Sequence, residues 1–130
     1  MPLHDAMFAR PPVYATAEDL TALKVAAQQA GAAGPGAGLL REELRRLALA
    51  GEGAAPFVRL GDVVHYRDLR TKRERQVRIV TPEAAEPEEN WISVLAPIGA
   101  ALIGLSDGAV FRWLEPSGRP RAVKVIEILR

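Results

Sequence analysis

The hydrophobic period of this chain changes at Pro56, and that change restricts the fold more than any other feature. Before it, apolar residues recur at helical spacing. After it, they alternate. A chain divided in this way places helices and sheet in separate stretches, the mark of an α+β protein. Within the first half, "TAEDLTALKVAAQQA" opens with Thr16 and has Asp19 three positions on, the spacing of a capping box. Glu18 and Asp19 favour a helix N-terminus. Leu20, Leu23 and Ala27 form its stripe, and "GAAGPG" stops it near Ala30. At ~1.5 Å per residue this helix is about 20 Å long. A second helix is expected from about Ala37 to Ala50, with Leu40, Leu44 and Leu47 on one side and Gly51 and Gly53 at its end. Two such short helices form an antiparallel hairpin of coiled-coil type, marginal unless packed on something else. Residues 1–15, with Pro11 and Pro12, read as an irregular arm.

Five strands follow: "FVRLGDVVHYRDL", "RERQVRIVTP", "NWISVLAP", "AVFRWLEP" and "RAVKVIEIL". Val64 and Tyr66 oppose Val63 and His65 in the first. In the last, Val123, Val125 and Glu127 oppose Lys124, Ile126 and Ile128. "EPSGRP" supplies a hairpin turn between the final two. Short connections predict an antiparallel, curled sheet. The oily segment "SVLAPIGAALIG", from Ser93 to Gly104, interrupts this pattern. Pro97 suits a first helical turn, Ile98, Ala101, Leu102 and Leu105 follow at helical spacing, and Gly104 can close the turn. Ala100 and Ala101 permit close approach, so a short helix is expected to lie across the cup of the sheet.

Composition removes several functions. The chain has 130 residues, a formal net charge of +1 and no cysteine. Thiol catalysis, disulfides and thiolate zinc sites are therefore excluded, and a cytoplasmic location is expected. No segment approaches the ~18 apolar residues of a membrane span, and the start lacks the pattern of a signal peptide. Aromatic residues are 5%, few for base stacking. His4 and His65 are too scattered to hold a metal, Ser93 has no nucleophile-elbow setting, and "GAAGPGAG" lacks the Lys-Ser/Thr of a phosphate loop. No catalytic residue, metal, cofactor or small-molecule substrate is expected.

The segment "ISVLAPIGAALIGLSDGAVFRWLEPSGRPRAVKVIEIL" resembles the C-terminal signature of the Gre/Rnk (GreA/GreB) family of bacterial RNA polymerase-binding factors. The short hairpin, "LLREELRRL" and "W-x-x-P-x-G" resemble its Rnk-type members most. The resemblance implies a helical hairpin over 16–53 followed by a C-terminal domain of FKBP-like fold over 54–130. It also implies RNA polymerase as partner, near the secondary channel, and a link to nucleoside diphosphate kinase levels. Carried over by position, the polymerase-contacting loop is Ser93, Ala96, Pro97, Ile98 and Gly99, with Ala96 where Gre factors carry Ser. Cleavage-stimulating members have a long hairpin with acids at its tip. The tip here, "AQQAGAAGPGAG", has no carboxylate and cannot hold a hard cation. Cleavage stimulation is therefore expected to be absent, with competition for the channel retained.

Two alternatives remain at this stage: a peptidyl-prolyl isomerase by fold analogy, and a true cleavage factor. A second candidate surface is the basic run Arg70, Lys72, Arg73, Arg75 and Arg78. It reads either as a solvated hairpin end that discourages edge pairing or as an electrostatic patch for an acidic polymerase surface or nucleic acid. Sequence-specific nucleic-acid contact is not expected. "EAAEPEE" reads as a solvated acidic loop.

Overall fold

The computed structural model describes residues 10–31, 35–50, 55–115 and 117–129. The element order is β1 (Val13–Ala15), α1 (Ala17–Ala30), α2 (Ala37–Leu44), β2 (Leu47–Leu49), β3 (Val63–Asp68), β4 (Glu74–Val80), two 3-10 turns, β5 (Trp91–Ser93), α3 (Pro97–Leu102), β6 (Val110–Leu114) and β7 (Pro120–Leu129). β3 to β7 make a mixed sheet in the order β5-β4-β3-β7-β6, antiparallel except for the parallel β4–β5 pair at one edge. β5 runs parallel because the two 3-10 turns, Pro82–Ala84 and Pro87–Glu89, return the chain to Arg78, so that Trp91–Ser93 lies beside the last three residues of β4 instead of closing a hairpin.

Helix α1 starts as its sequence directs: the Thr16 hydroxyl accepts from the Asp19 N–H at 3.1 Å. The Asp19 carboxylate does not reach back, but accepts from the Leu60 N–H at 3.0 Å and ties the helix to the approach to β3. Gly31, at φ 56°, ends the helix. The expected second helix is shorter than its pattern. α2 stops at Leu44, and Leu47–Leu49 leaves the helix to pair in parallel with β1, Val13 opposite Leu47 and Ala15 opposite Leu49. "LALA" is good helical sequence, but pairing with the chain entering α1 satisfies its backbone and overrides that propensity. The arm is correspondingly less irregular than expected, since Val13–Ala15 is a strand; residues 1–9, and Gly51 and Gly53, lie outside the described residues.

The two helices do not form a separate hairpin. Leu23, Ala26, Ala27 and Leu40 share one buried core with Val64, Ile79, Leu102, Phe111 and Val125. Burial of a Leu-sized side chain contributes about 1.5–3 kcal/mol, so helices this short are held by the sheet side of the molecule. The last strand also departs from simple alternation. Tyr66 pairs with Val125 while His65 pairs with Glu127, leaving Ile126 as an extra residue. This bulge reverses the phase: Ile128, opposite Val64, packs on the core, and Glu127 is exposed instead of lying with Val123 and Val125.

Candidate functional site

The Ser93–Gly99 segment is built by local polar contacts. The Ser93 hydroxyl accepts from the Leu95 N–H at 2.9 Å and the Ser93 carbonyl from the Ala96 N–H at 2.9 Å. This turn delivers Pro97 to the first position of α3, where its missing N–H leaves nothing unpaired. Gly99 is fully enclosed: a side chain there would run into the Ser93 carbonyl oxygen. Only Gly permits the first turn of α3 to lie against the end of β5. Ser93, Ala96, Pro97 and Ile98 are half-buried, whereas Gly99 is buried and positions the others rather than offering a contact.

Gly36, just before α2, comes down onto this segment. The Gly36 N–H donates to the Leu95 carbonyl at 2.7 Å, and a Cβ on Gly36 would stand 2.6 Å from that oxygen. The seam between α2, α3 and β6 leaves a cavity of about 290 Å³, lined among others by Pro35, Leu39, Pro97, Trp113 and Leu114. Leu114, 48% exposed, is a large apolar side chain left open beside the loop. Leu39 and Leu114 were not singled out by the sequence, and Trp113 only as the start of "W-x-x-P-x-G". Their strand and helix periods announce core or surface, but not that they meet.

The basic run is not brought to this loop. Apart from Arg78, it sits at the other end of β4, roughly 20 Å away at about 3.4 Å per strand residue. Its members also divide. Arg70, Lys72, Arg73 and Arg75 are exposed. Arg78 is not part of a free patch: its guanidinium stacks over the Trp91 ring at 5.3 Å and donates to the Gly61 carbonyl at 2.7 Å. Position 78 lies next to Trp91 across the β4–β5 pair, which explains the difference.

Asp68 organises the turn between β3 and β4. Its carboxylate accepts from the N–H groups of Arg70 and Thr71 at 2.8 and 3.1 Å and from Arg121 at 3.2 Å. Burial alone would raise its pKa, but the two N–H donors and the Arg121 guanidinium outweigh it and hold the carboxyl below the usual range. Nearby, burial raises the Tyr66 phenol above its ordinary value against the pull of Arg75 and Arg121. Glu74 lies below the ordinary carboxylate value through its bonds to Arg67 and His65.

Glu43, which by its spacing from Arg45 and Arg46 belongs to a polar face of the second helix, is instead a buried acid, only 1% exposed. It accepts from Arg10 at 2.9 Å and from Arg46 at 2.8 Å, while the Arg10 guanidinium lies over the Phe111 ring at 4.9 Å. Only the spacing of Glu43 and Arg46 is visible in the sequence; Arg10 is brought in from 33 positions away. Among the described residues, no cluster of three or more His, Asp or Glu side chains could hold a metal ion, and no helix is long and apolar enough to cross a membrane.

A curled sheet plugged by a Pro-initiated helix, with the "APIGAALIG" segment at the plug, defines a class. Residues 54–130 match the family described as transcription elongation factor GreA/GreB, C-terminal, and the chain belongs to that family. Over nearly its whole length it is similar to the regulator of nucleoside diphosphate kinase of Escherichia coli, 30% identical over 122 residues, 92% of this chain and 90% of that protein. Transcription elongation factor GreA of Syntrophobacter fumaroxidans is 37% identical over 68 residues, 52% of this chain and 43% of that protein. The structure of the prokaryotic transcription elongation factor GreA/GreB from Nitrosomonas europaea superposes with a TM-score of 0.67 at 26% identity, covering 93% of this chain and all of that one.

Proposed function

We propose that this chain is a non-enzymatic transcription regulator. It docks on RNA polymerase near the secondary channel through Ser93, Ala96, Pro97 and Ile98, and it competes there with Gre-type factors without stimulating transcript cleavage. In this reading residues 54–130 are an FKBP-like docking domain, and any influence on nucleoside diphosphate kinase runs through transcription.

One observation carries the proposal. The segment between the helices has no carboxylate between Ala27 and Gly38, and Gly36 at its end is bonded to Leu95 at 2.7 Å. Such a segment supplies neither the anionic ligands nor the reach that metal-dependent cleavage deep in an enzyme requires. An isomerase would need an open apolar cup. Here Leu102, Phe111 and Val125 are each 0% exposed and fill it.

The test is retention on immobilised core polymerase, displacement by a Gre factor, and incubation with backtracked elongation complexes. Retention with displacement and no shortening of the RNA is expected. RNA trimming, or no retention even at low salt, overturns the proposal.

A further inference from the structure

The turn between β3 and β4 has a rigid base and a cationic tip. The base is Asp68: its carboxylate accepts from the Arg70 and Thr71 N–H groups, its carbonyl accepts from the Lys72 N–H at 2.8 Å, and its own N–H donates to the Arg73 carbonyl at 2.8 Å. From this base Arg70, Lys72 and Arg73 project into solvent with no ion pair among the described residues. The Leu69 N–H bonds to the Ala122 carbonyl at 2.9 Å, which places the tip beside the start of β7 and so near exposed Arg119. Three acids lie at this end: Asp68 and Glu115 face Arg121, at 3.2 and 3.9 Å, and Glu74 is held by Arg67 and His65. The projecting cations are therefore left unneutralised.

Lys72 adds a separate observation. Its φ is 65°, the left-handed region that Gly or Asn occupies with less strain. A lysine at that position sacrifices backbone comfort for a charge at the end of the turn.

We infer that this basic end of the sheet is a second docking surface, and that it receives a short acidic segment of a protein. Charge complementarity selects an anion, and the surroundings select its class. Arg75 bonds to Asn90 at 3.1 Å, which brings the exposed glutamates Glu86, Glu88 and Glu89 alongside. A long, uniformly charged nucleic-acid strand would meet their repulsion, whereas a short run of carboxylates fits within the cationic zone. Stacking groups are also missing: Tyr66 and Trp113, the aromatics near this end, are each 4% exposed. The inference does not depend on the polymerase reading, because the docking chemistry can be measured with a peptide.

The experiment uses the full chain and a fluorescein-labelled oligoglutamate peptide, followed by anisotropy at low and raised salt. Binding is expected at low salt and lost as salt rises. The double variant R70E/R73E weakens it about tenfold, and Lys24→Glu, an exposed charge on α1, leaves it unchanged. Lys72→Gly weakens binding about threefold while raising the thermal midpoint, a pair of opposite effects that a purely structural role would not produce. Circular dichroism of each variant establishes that it is folded. Absence of binding, indifference to R70E/R73E, or tighter binding to a single-stranded oligonucleotide of matched charge each overturns the inference.

Discussion

At the scale of single residues, the informative ones are those whose partners lie far along the chain. Asp68 is the clearest. Its place at a strand end before "RTKR" is visible in the sequence, but Arg121, which supplies its ion pair, is 53 positions away. Asp68→Asn keeps the shape and removes the charge that the turn's N–H groups and Arg121 hold. A loss of about 1–2 kcal/mol is expected at neutral pH, measured by urea unfolding. The pH dependence follows from the sign of the shift. The native carboxyl titrates below its unfolded value near 4, so its contribution is complete above that value and disappears as pH falls through the lower native one. Wild type and variant should therefore converge in stability below about pH 4. A difference that persists unchanged into acid would show that Asp68 does not act through its charge.

At the scale of elements, α3 was the most legible part of the molecule, because Pro97, Gly104 and the apolar positions between them specify a short helix locally. Its closeness to β5 was not legible. That contact rests on Gly99 lying against the Ser93 carbonyl, which sequence spacing does not reveal. Gly99→Ala should be strongly destabilising, by roughly 3 kcal/mol, because the clash is with backbone at a strand end that cannot move freely. Its thermal midpoint, compared with that of Gly38→Ala at an open helical position, separates a packing clash from a simple effect of glycine replacement. The β7 bulge and the early end of α2 had the same origin. Local pattern favoured continuation in both, and pairing with β3 and β1 respectively decided otherwise.

At the scale of the whole molecule, the helical and sheet portions are joined by one core and one ionic clamp. Glu43 on α2 holds Arg10 and Arg46, and Arg10 covers Phe111 of the sheet. Removing the acid leaves Arg46 without its carboxylate and Arg10 with only the longer contact to exposed Glu42, at 3.7 Å. Glu43→Ala should cost about 3 kcal/mol, and its unfolding should remain one transition. Far-ultraviolet circular dichroism and tryptophan fluorescence are the measurement. Trp91 and Trp113 report the sheet and the dichroism reports the helices as well, so non-coincident curves would show that the helices fold apart from it.

Sequence by itself determined the period change at Pro56, the two helix starts, the alternating strands, the proline that opens α3 and the carboxylate-free hairpin turn. Each of these depends on neighbours a few residues away, which is the range over which backbone sterics and side-chain period act. Tertiary structure alone decided that Gly36 rests on Leu95, that α2 gives way to a strand beside β1, that Ile128 rather than Glu127 enters the core, and that Arg78 is stacked while Arg70, Lys72 and Arg73 stay free. Those outcomes need a partner brought from a distant part of the chain, and burial and backbone pairing with that partner outweigh the fractions of a kcal/mol by which local propensities differ.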